Sequence, residues 1–305
     1  MSARDAGVWI AGDDPGGVIG RAVLDGGATL ASGHEASVIV WGGGSPESIR
    51  PHLHPGIEWV QLITAGIEEW LAANILDGGR VWTAAKDVYA APIAEYVVAM
   101  MLASARRLRE VVHVPGWRGA DVQSIAGKIV GIVGAGGVGR ATFRLLEPFG
   151  VRSIALTRGG GHVRGAHESL GPDGLGYLLR SSDYIVLSAP ETPETLGLIN
   201  ERRIATMRRG AFLVNVGRGT LVDTQALVDA IASGHLSGAA LDVTDPEPLP
   251  DGHPLWSLPN TIVTSHTACP PDLAYALLAE RVSENVRRFR AGEPLLGIID
   301  VMAGY

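Results

Sequence analysis

The chain has 305 residues, 46% hydrophobic and 19% charged, and its 25 basic and 32 acidic side chains give a net charge of −7. That length holds two ordinary cores, and acidic charge spread along the chain argues against the basic face of a nucleic-acid-binding protein. Cys269 is the only cysteine, which excludes an intrachain disulfide framework and a cysteine-rich metal site and fits a reducing, cytoplasmic setting. No bound metal is expected.

Near the N-terminus, Met1 to Asp5 lack the apolar stretch of a secretory signal. Short apolar segments then alternate with glycine-containing turns. Val8–Ile10, Val38–Trp41 and Trp59–Ile63 have the brevity and apolar character of buried strands in an α/β sheet. Past Pro92, a helical stripe takes over through Ile93, Val97, Met100, Met101 and Ala105, with proline in the first turn and Arg106 and Arg107 at the end. Its apolar stretch from Val97 to Ala105 falls well short of the roughly 20 residues that cross a bilayer, so no membrane association is expected.

A second series opens at Ile129–Val133 and continues with strands expected at Ser153–Leu156, Tyr184–Ser188, Ala211–Val216, Ala239–Val243 and Thr261–Thr264. Helical patterns separate most of them, and such alternation implies parallel strands joined by right-handed crossovers. The last helix runs from about Pro271 to Ala291 and stops at Gly292. The expected class is α/β, with two Rossmann-like doubly wound parallel-sheet domains and an interdomain cleft. One domain combines residues 1–94 with 279–305, and the other spans 95–278.

Gly134-Ala135-Gly136-Gly137-Val138-Gly139 follows an expected strand directly and opens a helix. In that context Gly134 permits a tight turn, Gly136 clears the path of a pyrophosphate, and Gly139 lets helix and strand pack closely. Gly137 and Val138 complete the turn. The second domain is therefore expected to bind a dinucleotide. At the end of the next strand, where a carboxylate would bind both ribose hydroxyls, the chain reads Leu156-Thr157-Arg158-Gly159 with no acid before Glu168. Thr157 can donate to a 2′-phosphate, Arg158 can neutralise it, and Arg164 can assist, which favours NADP(H) over NAD(H).

Three polar residues stand just past later strands: Arg218 in Asn215-Val216-Gly217-Arg218-Gly219, Glu247 in Asp242-Val243-Thr244-Asp245-Pro246-Glu247-Pro248-Leu249, and His266 in Thr264-Ser265-His266. Together they meet the demands of 2-oxo acid reduction. A guanidinium can bind a carboxylate and polarise a carbonyl. An imidazole held by a carboxylate can give a proton near neutral pH.

With these segments in this order, the chain resembles the D-isomer-specific 2-hydroxyacid dehydrogenase family, in particular glyoxylate/hydroxypyruvate reductases. The resemblance implies that Arg218 binds the substrate carboxylate and carbonyl, that His266 is the general acid/base and that Glu247 is its partner. It places Val216, Asp242 and the Pro190–Thr195 loop beside the cofactor. It also makes Thr64-Ala65-Gly66 a substrate loop offering main-chain N–H groups at Ala65 and Gly66. The domain 1–94 plus 279–305 then becomes the substrate-binding one. A homodimer is implied, with Met100, Met101 and Leu102 available for its interface, and the expected partner is a small 2-oxo or 2-hydroxy acid. The family also contains corepressor-like, dinucleotide-sensing binding proteins, the alternative reading on the same fold. Ser265 departs from the proline frequent before the histidine, and Cys269-Pro270-Pro271 from the usual small polar residues. The end of the chain at Tyr305 leaves no expected C-terminal regulatory domain. Trp41, Trp59, Trp117 and Trp256 are candidates to shape the pocket.

Overall fold

The computed structural model describes residues 5–112, 116–117 and 121–302. The chain forms two compact units, Met1–Tyr89 with Pro270–Tyr305, and Ala90–Cys269. The first contains β1 (Gly7–Gly12), α1 (Val18–Asp25), β2 (Thr29–Leu30), β3 (Val38–Gly42), β4 (Trp59–Leu62), α2 (Glu68–Ala72) and β5 (Val81–Thr83). The second contains α3 (Ala90–Ala105), α4 (Leu108–Val111), β6 (Ile129–Val133), α5 (Gly137–Leu146), β7 (Arg152–Leu156), β8 (Glu168–Leu170), α6 (Leu175–Ser181), β9 (Tyr184–Leu187), α7 (Glu201–Thr206), β10 (Phe212–Asn215), α8 (Thr224–Ala232), β11 (Gly238–Leu241) and β12 (Thr261–Val263). The closing helix α9 (Pro271–Ala291) belongs to the first unit. Divisions drawn from the sequence at 94/95 and 278/279 pass through α3 and α9, whereas the compact units keep both helices whole.

All strand pairs in both sheets are parallel. The first sheet has the order β2-β1-β3-β4-β5, and the second β12-β11-β10-β9-β6-β7-β8. Both orders reverse direction at a switch point, between β1 and β3 in one and between β6 and β9 in the other, and ligands of open α/β sheets bind beyond the carboxyl ends of strands at such points. Apolar clusters pack on each sheet. Those of the second unit are built around Leu178, Ile185 and Leu213 and around Val130, Phe143 and Val186. The brief edge strands β2, β5 and β8 have no long apolar run to announce them.

The first unit is tied together by a buried polar cluster. Asn285 of α9 donates to Gln61 Oε1 (3.0 Å) and to the Leu296 carbonyl (2.9 Å), and accepts from Leu296 N (2.8 Å). Thr83 donates to the same Gln61 oxygen (2.9 Å) and accepts from Trp59 Nε1 (2.8 Å). Trp59 is thus a core residue with its N–H satisfied. Trp41 is 4% exposed, while Trp117 and Trp256 are solvent-exposed. The first turn of α1 is closed by the chain itself, because Asp14 accepts from Ile19 N (2.8 Å) and Gly20 N (2.9 Å).

One expectation for α3 is corrected. Met101 has no exposure and sits in the core formed with Val97, Ile132 and Phe143, so it has no surface to offer a second subunit. Met100 and Leu102 are partly buried against the same cluster.

Asn285→Ala should strip Gln61 and Leu296 of buried partners and destabilise the protein by about 2–3 kcal/mol. Urea unfolding checks this; a midpoint equal to that of the parent would show that the cluster contributes nothing.

Candidate active site

The site is assembled by register. Leu156, Val133, Leu187, Asn215, Leu241 and Val263 are successive Cα partners across β7, β6, β9, β10, β11 and β12. These six strands therefore end on one line, and each continues into a loop on the same edge. Thr157, Gly134, Ser188, Val216, Asp242 and Thr264 come immediately past that line. Pro190, Arg218 and His266 follow a little farther on.

Hydrogen bonds and close backbone contacts connect these loops in turn. Gly134 has φ +86, and a Cβ built there would lie 2.5 Å from backbone atoms of Ala189. Ser188 Oγ donates to the Gly134 carbonyl at 2.9 Å. Glycine is thus required where the β6 and β9 loops touch. Glu191, past β9, accepts from Thr220 Oγ1 in the β10 loop. Gly219 of that loop comes so close to the β11 loop that a Cβ would stand 1.9 Å from the Thr244 carbonyl oxygen.

The glycine turn fits a dinucleotide. The N-cap of α5 is Gly136, which brings no side chain to cover the helix N-terminus, and a Cβ there would meet nothing within 4 Å. Exposed main chain at a helix N-terminus suits a pyrophosphate. In the first unit the corresponding helix end is already filled by Asp14. Gly139 is buried, and its Cβ would press on Ala135 (3.2 Å) and Ile132 (3.3 Å), while Gly137 and Val138 are half-buried.

Thr157 is half-buried and Arg158 exposed at the end of β7. Glu168, the first acid after them, pairs with Ile154 in register, below the edge. Its carboxylate lies 3.7 Å from Arg152 and accepts from Tyr177 (3.2 Å), which leaves the end of β7 without an acid from that strand. In the Pro190–Thr195 loop, Thr195 Oγ1 donates to the Pro190 carbonyl (2.7 Å) and accepts from Thr192 N (2.8 Å). Its hydroxyl closes the loop.

Arg218 is partly buried, with Nη1 on the Gly217 carbonyl at 2.7 Å. Its turn is clamped by Asn215, 1% exposed, whose Nδ2 donates to the Arg218 carbonyl (2.8 Å) and whose Oδ1 accepts from Gly217 N (3.0 Å). His266 Nδ1 and Glu247 Oε1 are 2.8 Å apart, both side chains well exposed to solvent. Glu247 Oε2 also accepts from Thr244 N at 3.4 Å. A carboxylate on Nδ1 selects the tautomer and leaves Nε2 for proton exchange.

Asp242, which the family resemblance places near a cofactor, is 3% exposed and hydrogen-bonded within the protein. Oδ1 accepts from Thr264 Oγ1 (2.6 Å) and Thr267 N (2.8 Å), and Oδ2 from Ala268 N (2.9 Å). Its main-chain carbonyl accepts from His266 N at 2.8 Å. Tyr96 of α3 reaches Thr264 Oγ1 at 2.7 Å. Burial, with the Asp242 charge adding to it, pushes the phenol up to about 12, so it stays protonated at neutral pH. Asn215, Tyr96 and Thr264 were not singled out from the sequence, although Asn215 lies inside the motif that flagged Arg218. Cys269 is half-buried, and burial raises its thiol pKa, against a role as a thiolate nucleophile.

In the first unit, Ala65 is exposed and Gly66 partly so, just past β4, and Thr64 Oγ1 donates to the Gly66 carbonyl at 2.9 Å. Among the described residues no group of three or more His, Cys, Asp or Glu is placed to hold a metal ion. No helix among them is long and apolar enough to cross a membrane.

Residues 98–268 match the family described as D-isomer specific 2-hydroxyacid dehydrogenase, NAD binding domain. The chain is 37% identical over 303 residues to an "Uncharacterized protein in proB 3'region" of Corynebacterium melassecola, covering 93% of this chain and 95% of that one. It is 33% identical over 216 residues to glyoxylate/hydroxypyruvate reductase A of Photorhabdus laumondii, covering 69% and 68% respectively. A D-isomer specific 2-hydroxyacid dehydrogenase from Xanthobacter autotrophicus, solved in complex with NADPH and MES, superposes with a TM-score of 0.87 at 28% identity, over 99% of this chain and 100% of that one.

Gly219→Ala should force the Arg218 turn away from Thr244 and cost about 3 kcal/mol or more. Chemical denaturation of the purified variant checks it, and an unshifted midpoint would show that the two loops part freely.

Proposed function

The chain belongs to the D-isomer specific 2-hydroxyacid dehydrogenase family, and on that premise we propose that it passes a hydride between NADP(H) and a small 2-oxo acid of the glyoxylate or hydroxypyruvate kind, with the D-hydroxy acid as product. That it is an NAD(P)-dependent oxidoreductase follows from the family match and the named reductases among its relatives. The observation that carries the finer reading is the 2.8 Å His266–Glu247 pair on the same strand-end edge as the glycine turn and Arg218.

In this reading the bound nicotinamide dinucleotide supplies the hydride. Gly134, Gly136, Gly137, Val138 and Gly139 would hold its pyrophosphate, and the Pro190–Thr195 loop, Val216 and Asp242 would border it. Arg218 binds the substrate carboxylate and draws electron density from the carbonyl oxygen through its fork of donors. Ala65 and Gly66, just past β4 in the first unit, offer main-chain N–H groups of the kind that bind a carboxylate. Glu247 holds Nδ1–H, and Nε2 of His266 delivers the proton that the carbonyl oxygen takes up as it becomes an alkoxide. A carboxylate that stabilises the imidazolium lets His266 carry this proton near neutral pH.

The preference for NADP(H) rests on Thr157 and Arg158 at the end of β7 and on the engagement of Glu168 elsewhere. The NADPH complex of the Xanthobacter enzyme supports it, and the name of the Photorhabdus relative supports the substrate class. A cytoplasmic homodimer completes the proposal.

His266→Ala should lower kcat for oxo-acid reduction by roughly 10²- to 10⁴-fold while NADPH binds as before. Stopped-flow turnover beside a fluorescence titration with NADPH tests this; near-normal turnover would remove His266 as the proton donor. Arg158→Ala should cut the ratio of NADPH to NADH efficiency by about tenfold or more. Steady-state kinetics with both cofactors decides, and an unchanged ratio would place the discrimination elsewhere.

A further inference from the structure

We propose that Tyr96 is a positioning residue for the reaction, acting through Thr264 and Asp242 to hold the turn on which His266 stands. The inference rests on the reading above that His266 moves the proton.

The direction of each hydrogen bond follows from chemistry. An ionised carboxylate only accepts, so Thr264 Oγ1 donates across its 2.6 Å contact with Asp242 Oδ1. A hydroxyl has one proton, so across the 2.7 Å contact Tyr96 must donate to Thr264. The chain of donors therefore runs from Tyr96 to Thr264 to Asp242. By filling a lone pair of the Thr264 oxygen, Tyr96 directs the Thr264 proton at the carboxylate, and polarised chains of this kind strengthen their members.

Asp242 passes that order on to the backbone. Its main-chain carbonyl and two carboxylate oxygens receive the N–H groups of His266, Thr267 and Ala268 in succession. Such restraint matters, because His266 has φ +54, a left-handed conformation uncommon for residues other than glycine. The imidazole itself is 56% exposed. Little packing holds the ring, and its direction depends on Glu247 and on the turn beneath it. Within this network, Tyr96 comes from α3, far from the residues it orders in sequence.

The test compares Tyr96→Phe, Thr264→Val and Thr264→Ser with the parent, using NADPH with glyoxylate or hydroxypyruvate and His266→Gln as a reference. Tyr96→Phe and Thr264→Val should each lower kcat about tenfold, with KM for the oxo acid and Kd for NADPH within about twofold of the parent. Thr264→Ser should recover most of what Thr264→Val loses. Independently of activity, amide hydrogen exchange in the segment 266–268 should quicken by about tenfold in Tyr96→Phe and Thr264→Val. If both variants bind NADPH and keep the parent kcat and exchange, Tyr96 does not position the turn. The inference also falls if they only melt earlier while each NADPH-binding site turns over normally, because Tyr96 is then a packing residue. A His266→Gln enzyme with parental turnover would overturn the proton-donor reading itself, and with it this inference. Loss of activity in His266→Gln alone would overturn only the role of Tyr96.

Discussion

The buried carboxylate of Asp242 is the constraint on which the candidate site depends. Burying a charge is costly unless donors surround it, and the donors are Thr264 Oγ1 and the main-chain N–H groups of Thr267 and Ala268. Satisfying Asp242 and bending the chain into the left-handed turn at His266 are thus one requirement. The same turn brings Nδ1 to Glu247, itself anchored to Thr244 N. Acid, imidazole and backbone form one connected unit.

The wider site follows from a parallel sheet whose strands end together. Because Leu156, Val133, Leu187, Asn215, Leu241 and Val263 share one register line, loops from distant parts of the sequence emerge side by side. Parallel sheets deliver functional groups this way in general. What is particular here is how tightly neighbouring loops touch: glycine at 134 admits the backbone of Ala189, and glycine at 219 admits that of Thr244. Asn215 adds a clamp on the Arg218 turn from within its own strand.

Much of this was legible in the sequence, for identifiable reasons. Buried parallel strands read as short apolar runs, so β1, β3, β4, β6, β7, β9, β10, β11 and β12 lie within a residue or two of their expected positions, and Gly292 marks the left-handed end of α9. The edge strands β2, β5 and β8 were missed because two or three residues are too few to carry a pattern. Arg218, Glu247 and His266 were visible as polar residues just past strands. The role of Asp242 inside the protein was not visible, since its donors come from the next strand's loop and a carboxylate at a strand end resembles a ligand contact. Tyr96 was hidden further: it lies 168 residues from Thr264 in sequence, on a helix recognised only by its apolar stripe. Met101 shows the opposite error, an apolar residue credited to an interface that the unit's own core consumes.

The proposed passage of a hydride to the carbonyl carbon of a small 2-oxo acid can be followed atom by atom. Its most direct test is isotopic. Purified protein is given NADPH deuterated at the transferable C4 position of the nicotinamide, with hydroxypyruvate, and the glycerate formed is examined by mass spectrometry and chiral chromatography. One deuterium at C2 of D-glycerate is expected. Unlabelled glycerate, the L enantiomer, or no glycerate from hydroxypyruvate or any other small 2-oxo acid would contradict the proposal.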